Sequence, residues 1–329
     1  MLATVTAGGL SLMSRLSFDT AEVLVYDPVS SNRNATRASL YTIGFRRIET
    51  VAAIDAFVES VRRRPPDLAL CEAQGTETEI CDTIQSLRQG ASTYNPFIVI
   101  VVTAWEQTSA IVNRVLNAGA DDLLLRPFST TTLQARIKSH IERRKGFVVT
   151  TDYVGPDRRR AGDMRPSNVN IFEPPNSLRM KAHERLTSEE ATQRLDRELK
   201  TARDMLSIEK LRRDAFQLCI LWRLISDKNP AGEDYAADLA RLREKSRAIS
   251  RRCMDTEYDK AIEWCESVQA AIEGLEVGID RNASMHMLGH ASLNLSAIFT
   301  PEKTEQEHLE EVDSTVSMIK ARNTTKLAS

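Results

Sequence analysis

The sequence predicts an α/β domain with a doubly wound, five-stranded parallel sheet, followed by an all-α region of one long helix and a helical bundle. Between residues 21 and 145 short apolar runs alternate with amphipathic stretches. Strands that alternate with helices need crossover connections, and these make the sheet parallel. From residue 187 onward apolar residues recur at spacings of three and four, the period of a helix. Aromatic residues are 5% and charged residues 27% of the 329, a balance that suits a helix-rich chain better than a sandwich or barrel.

"EVLVYD" (22–27) is a β-branched run that ends on an acid. The helix after it, over 30–45, has its seam at Thr36, Leu40 and Ile43 and stops at Gly44. "RRIETV" (46–51) is the second strand. Residues 53–64 place Ile54, Phe57, Val58 and Val61 on one helical face, and Pro65 and Pro66 end that helix. "DLALCE" (67–72) is the third strand, and Ile80, Ile84 and Leu87 mark the helix that follows. "FIVIVVTA" (97–104) is almost continuously apolar, as expected of a strand covered on both faces. Ile111, Val115 and Leu116 carry the fourth helix to Gly119. "DDLLLRPF" (121–128) holds the fifth strand, and Leu133, Ile137 and Ile141 mark the fifth helix.

Doubly wound sheets gather their chemistry at the carboxyl ends of the strands. Those ends carry Asp27, Glu72, Thr103 and, just past the fifth strand, Arg126. Two acids, a hydroxyl and a cation thus converge from four strands. "VLVYD", "PDLALCE", "IVIVVTA" and above all "NAGADDLLLRPF" resemble the receiver domain of response regulators, as in chemotaxis-type regulators, over about residues 21–145. The resemblance implies a flavodoxin-like fold. It also implies an aspartate pair after the first strand, a phosphoryl-accepting aspartate ending the third, Thr or Ser ending the fourth, and Lys before Pro-Phe. Here Asp27 matches one acid of the pair, but Pro28 replaces its neighbour. Glu72 stands at the acceptor position, Thr103 is kept, and Arg126 replaces the lysine. Leu123 stands where the family often has an aromatic that reports the switch.

These replacements act against phosphoryl transfer. Mg²⁺ needs near-octahedral oxygen ligands, so Asp27 alone is a weak candidate, and no cofactor is expected. The longer Glu72 side chain carries its charge toward Thr103 and Arg126, and the planar fork of an arginine matches a carboxylate with two parallel hydrogen bonds. A standing Glu72–Arg126 pair, with Thr103 as third partner, is therefore expected; the alternatives are a Glu72 turned to solvent and a pocket that still takes phosphate. The resulting expectation is a pseudo-receiver that acts by protein–protein contact and is not an enzyme.

Residues 1–20 read as a flexible tail with no signal peptide, and 146–186 as a basic linker broken by Gly155, Pro156, Pro166, Pro174 and Pro175. Within it "YVGPDRRR" offers Arg158, Arg159 and Arg160 to phosphates or to acidic surface of the same protein. Residues 187–329 read as a helical domain. A capping box at Thr187-Ser188-Glu189-Glu190 opens a helix on the order of 60 Å long, carried by Leu195, Leu199, Ala202 and Leu206, then by Leu211, Ala215, Leu218, Trp222 and Ile225. That length implies pairing with another helix or chain, hence a homo-oligomer through this helix. Further seams follow at Tyr235–Ile249, Tyr258–Leu275 (opened by Thr256 and Asp259), Leu288–Ile298 and Leu309–Ile319, the last started by Thr300-Pro301-Glu302.

"HMLGHASLNLSA" (286–297) resembles the histidine-bearing helix of phosphotransfer domains, which makes His286 an alternative phosphoacceptor in a phosphorelay. His286 and His290 are one turn apart, a spacing that also suits a metal, without an apparent third ligand. A net charge of −2 gives nucleic acid and anionic membranes no electrostatic preference. No apolar run is long enough to span a bilayer. The five scattered cysteines lack a CxxC and fit buried thiols in a reducing compartment. The partners expected are signalling proteins in the cytoplasm of a bacterium.

Overall fold

The computed structural model describes residues 16–89, 95–150, 153–158, 171–183, 186, 188–278 and 280–327. They fall into two compact units, one on the chain up to Val149 and on Tyr153–Arg203, the other built mainly from Asp204 onward.

In the first unit β1 (Glu22–Tyr26), α1 (Ser30–Ile43), β2 (Arg47–Val51), α2 (Ile54–Arg63), β3 (Leu68–Glu72), α3 (Glu77–Gln89), β4 (Val99–Ala104), α4 (Ser109–Ala118), β5 (Asp122–Leu125) and α5 (Thr130–Glu142) alternate without exception. The strands form one parallel sheet in the order β2-β1-β3-β4-β5. Side chains alternate across a strand, and the core divides accordingly. Leu24, Tyr26, Ala69, Cys71, Ile100 and Val102 meet Phe57, Val61, Ile80, Ile84, Leu87 and Val115 of α2–α4. Val23, Val25, Leu68, Leu70, Val99 and Val101 meet Leu40 of α1 and Leu133, Ile137 and Ile141 of α5. Both layers are dry, which is why β4 carries no polar residue before Thr103. Gly44 ends α1 at φ 124°, a conformation that disfavours any side chain. Of the tail, residues 1–15 lie outside the described residues. The rest belongs to the unit: Phe18 is buried against the Phe45 ring at 4.4 Å, and Ser17 N–H donates to Ala182 O.

The described residues of the stretch expected as a linker, 153–158 and 171–183 with 146–149, extend this unit. β6 (Phe147–Val149), β7 (Val154–Pro156) and β8 (Ile171–Phe172) form an antiparallel sheet in the order β7-β6-β8, and α6 (Ser177–His183) follows. The Phe147 and Phe172 rings each lie 5.9 Å from Phe97 and 6.3 Å from one another in tilted or edge-on contact, and Leu178 and Ala182 join the layer of α1 and α5. Beneath the aromatics lies a buried ion network: Asp121 accepts from Arg88 and Arg144, whose remaining donors bind carbonyls of Gly119, Pro96, Phe97, Ile98 and Pro175. Strands of two or three residues show no periodicity, and of the residues that read as punctuation Gly155, Pro156 and Pro175 are buried, while Pro166 lies outside the described residues. A Cβ on Gly155 would stand 2.8 Å from Gly119 Cα.

The second unit packs α8 (Glu233–Cys253), α9 (Lys260–Val277) and α10 (Arg281–Phe299) around the C-terminal part of the 39-residue helix α7 (Ser188–Ser226). Leu211, Ala215, Leu218, Leu221 and Ile225 of α7 share a core with Leu239, Leu242, Ile249, Cys265, Val268, Ile272, Leu288, Ala291 and Leu295. α11 (Glu305–Leu327) lies outside that core. It starts later than expected. The reciprocal bonds Thr304 N–H to Glu307 Oε2 (2.7 Å) and Glu307 N–H to Thr304 Oγ1 (3.3 Å) form the capping box, and Thr300-Pro301-Glu302 precede it. At α9, Asp259 makes no side-chain cap bond, and Thr256 Oγ1 accepts only from Tyr258 N–H. At the start of α7, Thr187 and the Ser188 side chain lie outside the described residues. Among the described residues no helix is long and apolar enough to cross a membrane.

Candidate functional site

Strand register brings the four predicted residues together. Glu72 lies beside Thr103 in the β3–β4 ladder, and Tyr26, one residue before Asp27, lies beside Cys71. Arg126 N–H donates to Ala104 O at 2.7 Å, which pins the residue after β5 at the end of β4.

Glu72 Oε2 accepts from Thr103 Oγ1 (2.7 Å) and from Arg126 Nε (2.6 Å), while Oε1 accepts Gln74 N–H (3.0 Å). Arg126 Nη2 reaches Asp27 Oδ2 at 3.1 Å and Thr36 Oγ1 at 3.0 Å. Asp27 Oδ1 accepts Val29 N–H at 2.8 Å. The expected two-toothed Glu72–Arg126 pair is therefore corrected to a bridge. The guanidinium spends one edge on Glu72 and one nitrogen on Asp27, because both acids converge on one cation. The bridge is sealed: side-chain exposure is 0% for Asp27, 1% for Glu72 and 8% for Arg126. Burial pushes the Asp27 carboxyl above the ordinary aspartate range against the pull of Val29 N–H and Arg126, and the Glu72 charge adds to the rise.

Mg²⁺ does not fit this arrangement. Every carboxylate oxygen of Asp27 and Glu72 already accepts a hydrogen bond, a guanidinium lies between the acids, and Pro28 supplies no third carboxylate. Both Glu72 oxygens are engaged, Oε1 by Gln74 N–H and Oε2 by Thr103 and Arg126.

Two participants escaped the sequence reading. Thr36 counted only as a seam position of α1, yet its hydroxyl is buried and binds Arg126. Arg33 donates to the carbonyls of Asp27 (2.6 Å) and Pro28 (3.1 Å), which fixes the loop after β1; nothing in its spacing marks it. Leu123 is half-buried against the α2–α4 layer.

His286 is exposed on α10. His290 is also exposed, its ring edge-on to Trp264 at 5.3 Å. Gly289 between them makes room for Trp222: a Cβ there would stand 2.3 Å from the indole ring, whose Nε1–H donates to Met285 O at 3.2 Å. Among the described residues no three His, Cys, Asp or Glu side chains are grouped to hold a metal. In "YVGPDRRR", Tyr153 OH donates to Pro156 O, and Arg158 stacks on the Tyr153 ring at 3.6 Å and donates to Asn117 Oδ1. Arg158 thus docks on its own unit; Arg159 and Arg160 lie outside the described residues.

Residues 23–138 match the family model described as the response regulator receiver domain. The phosphate regulon transcriptional regulatory protein PhoB of Rhizobium meliloti is 30% identical over 115 residues, which are 35% of this chain and 49% of that protein. The chain thus spans about half the length of this relative. A CheY-like response regulator receiver domain protein from Methanospirillum hungatei is 18% identical over 38% of this chain and 95% of its own, with a TM-score of 0.34. A response regulator from Thermotoga maritima is 24% identical over 36% and 96%, with a TM-score of 0.32.

Proposed function

Residues 23–138 form a receiver domain of the response regulator family, and from that premise we propose that this protein is a pseudo-receiver regulator. It transmits signals in a bacterial two-component pathway by protein contact, with no acyl phosphate formed at residue 72. The observation that carries this reading is the sealed Asp27–Arg126–Glu72 bridge with Thr103 on the same Glu72 oxygen. A phosphoryl group entering the pocket would have to displace a buried guanidinium from two buried carboxylates. Breaking such a network costs several kcal/mol, about 3–5 for one partner lost. The partners are cytoplasmic signalling proteins, and α7, longer than its own unit's core requires, is the element through which copies of the chain associate.

The exposure of His286 keeps phosphotransfer as the competing reading, weakened because Gly289, three residues on, is taken up by Trp222. The test is to restore the family's residues with Pro28→Asp, Glu72→Asp and Arg126→Lys together, then incubate with acetyl phosphate and Mg²⁺. The restored chain should gain a hydroxylamine-labile phosphoryl group, acetate leaving as the acyl phosphate forms, while Glu72 in the natural sequence gains none. Equal labelling of both chains at residue 72 would refute the proposal.

A further inference from the structure

The side chains that hold α11 are separate from those that hold α7–α10 together. The main core of the helical unit takes no member from α11. Among the described residues α11 buries only Val312 and Val316 of its apolar side chains, in a small group with Cys219 that Phe216, Ile220, Leu224 and Leu293 border. Leu309 and Ile319 of α11 are only half-buried, and polar side chains complete the seam. Ser292 of α10 is fully buried, with no hydrogen-bond partner for its hydroxyl among the described residues. His308 of α11 is 2% exposed and faces two hydroxyls, Ser296 Oγ at 3.4 Å from Nδ1 and Thr300 Oγ1 at 3.1 Å from Nε2. Hydrogen bonds between hydroxyls and an imidazole add only about 0.5–1.5 kcal/mol each over those to water. Two ion pairs at the surface also tie α11 down: Arg223 with both oxygens of Asp313 (2.8 and 2.9 Å) and Lys320 with Asp227 (2.6 Å). Exposed pairs of this kind add little in water and less in salt.

We propose that α11 is a detachable strap, which lifts from α7 and α10 as one piece while the four-helix core stays folded. Lifting uncovers Cys219 together with Phe216, Ile220 and Leu224, a stripe on α7 at spacings of four, and Leu293 beside it. The occupant of this face in the closed state is the chain's own α11. The helical unit then has two states: closed and polar on this side, or open and apolar. This inference stands on the helical unit alone and goes beyond the receiver.

The thiols make the opening measurable. Cys219 lies under the strap, and Cys265 lies in the four-helix core. Both are free and buried, so alkylation of either requires its cover to open. The full chain is treated with iodoacetamide under native conditions, and each cysteine is followed by peptide mass. Sub-global opening should make Cys219 react faster than Cys265 by about tenfold or more. Val312→Asp should accelerate Cys219 further and leave Cys265 unchanged. Arg223→Ala, a surface change that leaves both cores intact, should accelerate Cys219 by about two- to fivefold. Equal rates for the two cysteines in the natural chain, or variants that accelerate both in parallel, would mean that α11 leaves only when the whole unit unfolds, and would overturn the proposal.

Discussion

Replacing Arg126 by Met tests the bridge at its centre. The substitution keeps the aliphatic stem and removes the cation that stands between Asp27 and Glu72, both at most 1% exposed. Two buried carboxylates are then left facing each other, with hydrogen bonds from Val29 N–H, Gln74 N–H and the Thr103 hydroxyl as their remaining donors. Removing one partner of a buried ion pair costs about 3–5 kcal/mol, about a fifth or more of a stability of about 5–15 kcal/mol for a domain. Because the chain has two units, the assay should read the receiver alone. Amide exchange of the β3 and β4 peptides does so, since their slowest amides report unfolding of that sheet. Adding Glu72→Gln removes one of the stranded charges and should restore part of the loss, a coupling of about 1–3 kcal/mol. Protonating Asp27, whose carboxyl burial already raises, relieves the same repulsion. The deficit of Arg126→Met should therefore shrink as pH falls toward about 4. A loss below about 1 kcal/mol, the value of an exposed pair, with no pH dependence, would refute the argument by showing that the carboxylates are solvated.

Three further outcomes follow from the packing. Phe147→Ala removes a fully buried ring that touches Phe97, Phe172 and the guanidinium groups of Arg88 and Arg144; it should cost the first unit about 3–5 kcal/mol, read by the same exchange measurement. Gly289→Ala would ordinarily stabilise a helix by about 0.5–1 kcal/mol. Here the new methyl meets Trp222, so it should instead destabilise the helical unit by about 1–3 kcal/mol and shift the tryptophan emission on unfolding. For Asp121, burial opposes the charged form, but Arg144 and Arg88 outweigh it and hold the carboxyl below the usual range. A depressed carboxyl contributes stability above its unfolded value of about 3.9 and loses it as pH falls through the folded one. The stability gap between the natural chain and Asp121→Asn should thus be full at neutral pH and close below about pH 4.

The order of strands and helices in the first unit was legible because each buried element repeats its own period over several residues, as Leu133, Ile137 and Ile141 do. The convergence of Asp27, Glu72, Thr103 and Arg126 was legible for a related reason: parallel strands place their carboxyl ends on one edge, so position along the chain suffices. The form of the ion pair was not, because one arginine shared by two acids depends on a side chain reaching across strands. The role of Thr36 was hidden by its apolar seam. The packing of β6, β7, β8 and α6 was not legible because these strands are too short to show a period, and their anchors, Arg88 and Phe97, lie far upstream. The separate packing of α11 was also invisible. Val312 and Val316 look like any helix seam, and only the partner's side chains show that they meet Cys219 rather than the main core.

The most direct measurement is the intact mass of the purified natural chain after incubation with acetyl phosphate and Mg²⁺, with His286→Gln in parallel. The account expects no change in mass in either, because Glu72 is held by Arg126 and Thr103. A gain of one phosphoryl group that survives in His286→Gln and disappears in Glu72→Gln would contradict it and make this a working receiver.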